Sequence, residues 1–215
     1  MPRKQRVVDH IVERLAATGV DHIFGVDGAN IEDLYDAAHF HSGITAVLAK
    51  HEFSAATMAD GYSRSGAGLG VVAATSGGGA LNLVAGLGES LASRVPVLAL
   101  VGQTATTMDG RGSFQDTSGR NGSLDAEAVF SAVSVSCERV LTPAEVAPAL
   151  SEAIAAARTG GPAVLLLPKD IQQGYLDCER NCSHFGSQMG DAIQNQRPGV
   201  CLGQVATPGD DTVVS

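Results

Sequence analysis

Lys50-His51-Glu52-Phe53-Ser54-Ala55-Ala56-Thr57-Met58-Ala59-Asp60-Gly61-Tyr62 is the stretch on which the fold turns. The apolar run Ile44 to Ala49 before it reads as a strand, and the alanine-rich segment Ser54 to Ser63 reads as a helix. Glu52 stands at the junction. Burial disfavours the charged form of a carboxyl, so a glutamate is costly there unless a ligand nitrogen shares its proton or the helix dipole stabilises its charge. The residues alone leave both explanations open.

Outward from this point the strand-to-helix step repeats. Val7, Val8, Ile11, Val12 and Leu15 recur at helical spacing and Gly19 stops them, after which His22 to Val26 is a short strand. Asp27-Gly28-Ala29-Asn30 turns the chain into a helix around Ile31, Leu34 and Tyr35. Leu69 to Ala74 is a buried strand, Thr75-Ser76-Gly77-Gly78-Gly79 a tight turn, and Leu81 to Ser93 a helix. Val95 to Val101 is a further strand, with Pro96 near its start, where a missing N–H is tolerable. The glycine-rich segment Gly102 to Gly122 is long for a loop inside a compact domain, a length usual for functional or mobile segments.

A strand near Ser131 to Val140, a helix from Pro143 to Arg158 with Thr142 as N-cap, and a strand Ala163 to Leu167 complete the pattern. The alternation predicts an α/β fold: a doubly wound, mostly parallel sheet with helices on both faces, as a single domain over residues 1–177. Residues 178–215 lose the periodicity and read as a polar tail or linker. In the helix after the glycine turn, Leu83, Leu87 and Leu91 with Ala85, Gly86, Gly88 and Ala92 suit packing either on a partner helix or on the domain's own sheet.

Composition narrows the function. With 44% hydrophobic residues in 215, the chain has enough apolar material for a full core, and its net charge of -9 argues against sequence-independent nucleic-acid binding. The expectation is a cytoplasmic protein, since no apolar run approaches the roughly 20 residues of a membrane span. Four scattered cysteines do not make a secreted disulfide framework. Cys178, Cys182 and His184 could be drawn as metal ligands, but without a fourth ligand at a usual spacing the expectation is reduced thiols and no metal.

In an open parallel sheet, ligands bind beyond the carboxyl ends of the strands. Asp27-Gly28, Glu52 and Thr75-Ser76-Gly77 are the polar residues at those ends. Gly77-x-Gly79-x-x-Asn82 nearly matches a dinucleotide fingerprint, but the next strand ends in Gly102-Gln103, without the acidic residue that would hold a ribose. No Gly-Lys-Ser/Thr is present, which excludes a P-loop.

Six segments in order resemble the pyrimidine-binding domain of thiamine-diphosphate enzymes of the acetolactate synthase type. Phe24-Gly25-Val26-Asp27-Gly28 resembles F-G-x-P-G, and Lys50-His51-Glu52 with Ala59-Asp60-Gly61-Tyr62-Ser63-Arg64 resembles H-E-x…A-D-G-Y-A-R. Thr75 to Asn82 resembles T-S-G-P-G-A-T-N, Gly102-Gln103 the T-G-Q strand end, and Phe114-Gln115-Asp116 F-Q-E. Gly161-Pro162-Ala163 with Pro168-Lys169-Asp170 resembles G-P-V…P-x-D. The resemblance covers residues 5 to about 175.

The resemblance implies that Glu52 hydrogen-bonds N1′ of the cofactor's aminopyrimidine, favouring the imino tautomer that removes the thiazolium C2 proton. It implies Glu52 as the catalytic residue, and Glu52, Gly28, Thr75, Gly78, Asn82 and Gln115 as cofactor-binding. It places Asp27, Phe114 and Gln115 toward the substrate, a 2-oxo acid to be decarboxylated and then ligated or protonated. His51, Tyr62 and Arg64 read as structural, and Asn82 suits either the cofactor or support of the glycine turn.

Three departures stand out. Asp27 and Gly78 replace the prolines of two turns, Asp116 is one methylene shorter than the family's Glu, and the second domain that binds the diphosphate and Mg²⁺ through G-D-G has no counterpart. The chain is therefore expected to be the pyrimidine-binding subunit of a split enzyme, active with a diphosphate-binding partner in an α2β2 heterotetramer. A non-catalytic regulatory subunit and an N-terminal fragment of a longer enzyme are the alternatives.

Overall fold

The computed structural model describes residues 3–178. Six parallel strands form its sheet: β2 (His22–Val26), β3 (Thr45–Leu48), β4 (Gly70–Ala74), β5 (Val97–Gln103), β6 (Ser136–Arg139) and β7 (Pro162–Pro168). Their spatial order is β3-β2-β4-β5-β7-β6. The central strands β4, β5 and β7 are buried along their whole length, which is why they read as unbroken apolar runs.

Successive side chains point to opposite faces of a sheet. Ile23, Val71, Ala73, Leu98, Leu100 and Leu165 pack with α1 (Val7–Ala17), α2 (Glu32–Phe40) and α7 (Val146–Arg158). Phe24, Val72, Ala74, Ala99, Val101 and Leu166 pack with α3 (Glu52–Arg64), α5 (Val84–Ala92) and α6 (Ala126–Ser131). The fold is the doubly wound α/β sheet with helices on both faces. Burying one large aliphatic side chain stabilises by roughly 1.5–3 kcal/mol, and both layers are built from such residues.

Local signals fix most helix ends. Gly19, at φ 87, ends α1. Thr142 and Glu145 form a capping box at a 3₁₀ turn, Pro143–Glu145, that leads into α7. His51 is extended, and its Nδ1 accepts the Phe53 N–H at 3.2 Å, so it caps α3.

Three details differ from the sequence expectation, and a fourth settles a choice that the sequence left open. The helix after the glycine turn starts at Gly78 and is divided at Leu83 into α4 (Gly78–Asn82) and α5. Its stripe faces the domain's own sheet, since Leu83 and Leu87 are fully buried and Gly86 lies against Ala56. Between Gly122 and β6 lies α6, capped by Asp125, which accepts the Ala128 N–H at 3.0 Å. Cys178 ends β8 (Tyr175–Cys178), which pairs antiparallel with β1 (Arg3–Arg6); both strands are too polar and short to show a period. The expected tail over 179–215, with Cys182 and His184, lies outside the described residues.

Strands β2 and β4 are neighbours, yet β2 leads to α2 on one face and β4 to α4 and α5 on the other. Their carboxyl ends therefore diverge, opening a crevice at a topological switch point. No helix among the described residues is long and apolar enough to cross a membrane.

Candidate cofactor site

Glu52 is the first residue of α3 and only 9% exposed. Its Oε2 accepts the Asn82 side-chain amide at 2.9 Å, from the last residue of α4. Oε1 has no hydrogen-bond partner among the described residues. One carboxylate oxygen is thus anchored and the other is available to a ligand.

The turn beneath it is shaped by missing side chains. A Cβ on Gly79 would lie 2.8 Å from the Thr75 methyl and 3.0 Å from Glu52 Oε1, so only glycine lets α4 pass between them without a shift. A Cβ on Gly28 would meet the Thr75 side chain at 2.8 Å. Gly77 has φ 64, and a Cβ there would press on Gln115 at 2.8 Å. Gly78, by contrast, has nothing within 4 Å, so the turn leaves room for the proline seen in the related motif.

Gln115 itself has φ 61, an unusual conformation for a residue with a side chain. The loop is built to hold it. Asp116 accepts the Gly110 N–H at 2.8 Å and the Ser118 N–H at 2.9 Å. Burial opposes ionisation of Asp116, but those bonds, with Arg139 nearby, hold its carboxyl below the ordinary range. Thr117 donates to Gln103 Oε1 at 2.6 Å, and Asn121 donates to the Gly110 carbonyl at 2.6 Å. Asp109 and Arg139, 6% and 13% exposed, form a two-pronged ion pair at 2.8 and 2.9 Å that ties the loop to β6. The segment expected to be functional or mobile is stitched down along its length.

Asp27 lies at the rim, exposed, with its Oδ1 accepting the Gly28 N–H at 2.7 Å. Burial, with the Asp27 and Glu52 carboxylates nearby, pushes the Tyr35 phenol above its ordinary range. Tyr35 stays protonated and donates to the Ala73 carbonyl at 3.1 Å, in the space left by Gly25. Phe114 is 75% exposed and lines a separate cleft of about 390 Å³ with Asn30, Thr104, Met108, Ser113 and Lys169. Glu52 and Asn82 do not line that cleft.

The structure therefore brings Glu52, Asn82, Thr75 and Gly28 into one contiguous cluster, with Gln115 against Gly77. Gly78, Asp27 and Phe114 share the same sheet edge but not that cluster. Sequence reasoning placed Ser76 in the strand-end turn but gave no role to Asn30 or Gln172; all three are buried polar residues behind the turn. A buried polar side chain carries no period of its own; the only signal was Gln172 lying two positions beyond the Pro168-Lys169-Asp170 motif. Among the described residues no group of three or more potential ligands could hold a metal ion.

Two comparisons with known proteins agree on the family. Residues 5–123 match the model of the thiamine pyrophosphate enzyme N-terminal TPP binding domain. The chain is 37% identical over 172 residues to a "Probable acetolactate synthase large subunit" of Methanocaldococcus jannaschii, covering 79% of this chain and 28% of that protein. It is 36% identical over 163 residues to the "Acetolactate synthase isozyme 3 large subunit" of Escherichia coli, covering 75% and 27%. The "Acetolactate synthase large subunit" of Lactococcus lactis is 34% identical over 163 residues, with the same coverage. The chain thus matches little more than a quarter of the length of these relatives.

Proposed function

Because the chain belongs to the thiamine pyrophosphate enzymes as an N-terminal TPP binding domain, we propose that it supplies the pyrimidine-binding half of an active site that decarboxylates a 2-oxo acid and ligates or protonates the product. The observation that carries this reading is the half-satisfied Glu52 carboxylate, with Oε2 held by Asn82 and Oε1 unpartnered beside Gly79. That arrangement fits an aminopyrimidine, whose ring nitrogen can share a proton with the available oxygen. When bound, thiamine diphosphate supplies the carbanion-stabilising thiazolium.

The chain's own residues do the rest. Glu52 holds or passes a proton at its Oε1, and Asn82 fixes the carboxylate plane. Thr75, Gly28 and Gly79 set the depth of the pyrimidine pocket, with Gly78 at its mouth. Gln115 reaches over Gly77 toward cofactor and substrate, while Asp27 at the rim and Phe114 from the neighbouring cleft face the substrate. The diphosphate and its Mg²⁺ would be held elsewhere, by a diphosphate-binding subunit in an α2β2 assembly or by the rest of a longer chain. The 27–28% coverage of the relatives supports an incomplete site.

Two measurements test the reading. In the assembled enzyme, Glu52→Gln is expected to keep cofactor affinity within about tenfold, roughly 1.4 kcal/mol. It should slow C2 hydrogen–deuterium exchange by about a hundredfold or more, read by quenched-flow NMR; an unchanged rate makes Glu52 structural. Calorimetry on the 215-residue chain alone should show weak thiamine diphosphate binding. Tight, Mg²⁺-dependent binding would overturn the incomplete site.

A further inference from the structure

Behind the glycine turn runs a line of buried polar side chains that no catalytic step uses. Gln172, fully buried in the short helix α8 (Lys169–Gln172), donates from Nε2 to the Asn30 carbonyl and to the Leu167 carbonyl, both at 2.8 Å. Asn30 in turn donates from Nδ2 to Ser76 Oγ at 2.7 Å, and its backbone N–H reaches Thr75 Oγ1 at 3.2 Å. Ser76 is fully buried as well. The Thr75 methyl then abuts Gly79, and Gly79 abuts Glu52 Oε1.

We propose that Gln172 and Asn30 are positioning residues for Glu52, acting through Ser76 and Thr75 on the helix that carries Asn82. Three observations favour this role over generic core support. A buried polar side chain is costly in a core unless its bonds are made, and Gln172 places its amide on Asn30 while its buried Oε1 has no partner among the described residues. The line starts at the carboxyl end of β7 and crosses to the turns after β2 and β4, the two strands that flank the switch point. Its hub is also closely packed, because the Asn30 carbonyl sits 2.0 Å from where a Cβ on Gly102 would be. A shift of the hub is transmitted to α4, and with it to the 2.9 Å bond between Asn82 and Glu52.

The neighbouring residues of α8 tie the same region from outside. Lys169 Nζ donates to the Ala29 carbonyl at 2.5 Å and to Glu32 at 2.6 Å. Asp170 accepts the Thr106 N–H at 3.0 Å and the Thr106 hydroxyl at 2.5 Å. One short helix therefore holds the turn after β2 and the loop after β5, while its last residue reaches the turn after β4 through Asn30.

What Glu52 does chemically rests on the cofactor reading; what holds it rests on geometry alone. The test is chosen to separate the two. Gln172→Met and Ser76→Ala, singly and together, are introduced into the full chain, and the Asn82 side-chain amide is followed by ¹H–¹⁵N NMR without cofactor. Gln172 and Ser76 share no hydrogen bond with each other among the described residues, so a merely structural role predicts lower thermal stability, an unmoved Asn82 amide and additive effects. Positioning predicts that each single variant moves the Asn82 resonance beyond its linewidth and that the double variant moves it less than the sum, since both cut one line. An unmoved Asn82 resonance in a folded variant overturns the proposal. Should Gln172→Met not fold, the milder Ser76→Ala decides alone by the same resonance. In the assembled enzyme, the positioning role further expects C2 exchange slowed by roughly tenfold or more. If C2 exchange depends on neither Glu52 nor Gln172 while the Asn82 resonance still moves, the cofactor reading fails and the positioning network stands.

Discussion

The turn after β4 and the loop after β5 reach the same site from adjacent strands, but different forces hold them. On its Glu52 side the turn is held by close approach: Gly79 fits between Thr75 and Glu52, and Gly28 fits against Thr75, because neither has a side chain. The loop is held by polar bonds, with Asp116, Thr117 and Asn121 bonded within it and to β5, and the Asp109–Arg139 pair at its base. Steric exclusion is all-or-none over a few tenths of an ångström, whereas a set of polar bonds yields one bond at a time. Under the proposed function, the carboxylate given the proton is placed by the stiffer device, and the glutamine proposed to face the substrate by the graded one.

The largest expected effect breaks the loop at its base. Arg139→Met leaves Asp109 buried and unpaired, and should lower stability by about 3–5 kcal/mol, read by urea denaturation. The double variant Asp109→Leu with Arg139→Met removes both charges and should recover most of that loss, the more so because Arg139 Nε is buried with no partner among the described residues. A double variant as unstable as the single one would show that the ion pair is not what anchors the loop.

Within the turn the contrast should be sharp between adjacent glycines. Gly79→Ala forces its methyl into Thr75 and Glu52 and should cost about 1–3 kcal/mol, with loss of the Asn82–Glu52 contact in the NMR spectrum. Gly78→Ala meets nothing within 4 Å and should be neutral or slightly stabilising, by roughly 0.5 kcal/mol through the unfolded chain. Equal costs at the two positions would remove the claim that steric fit defines the turn.

The smallest effect is a pH dependence confined to the loop. The Asp116 carboxyl in the folded protein lies below its ordinary value of 3.8. Its bonds to Gly110 and Ser118 are therefore fully present above that value and are lost as pH falls through the folded value. Protection of the Gly110 and Ser118 amides from hydrogen exchange, relative to their intrinsic rates, should fall on acidification below that range, and Asp116→Asn should abolish that pH dependence. Protection that persists to the acid-unfolding point would assign the bonds no role in ordering the loop.

Much of this molecule was legible in its sequence, because the relevant signals are local. Short apolar runs marked β2, β4, β5 and β7, Thr142 with Pro143 marked the start of the seventh helix, and Glu52 stood out because a carboxylate between a strand and an apolar helix needs a reason. The helix α6 was overlooked although Asp125 marked its start, and the ribbon of β1 and β8 was beyond local reading, since its strands are polar and pair residues far apart in the chain. Tertiary structure alone decided that the leucine stripe of α5 faces inward, that Asn82 reaches the second oxygen of Glu52, and that Asn30 and Gln172 stand behind the turn. Those facts depend on which strands become neighbours. Strand order is set by the joint packing of both helix layers, so a glutamine 120 residues beyond Glu52 can steer it without any local trace in the sequence.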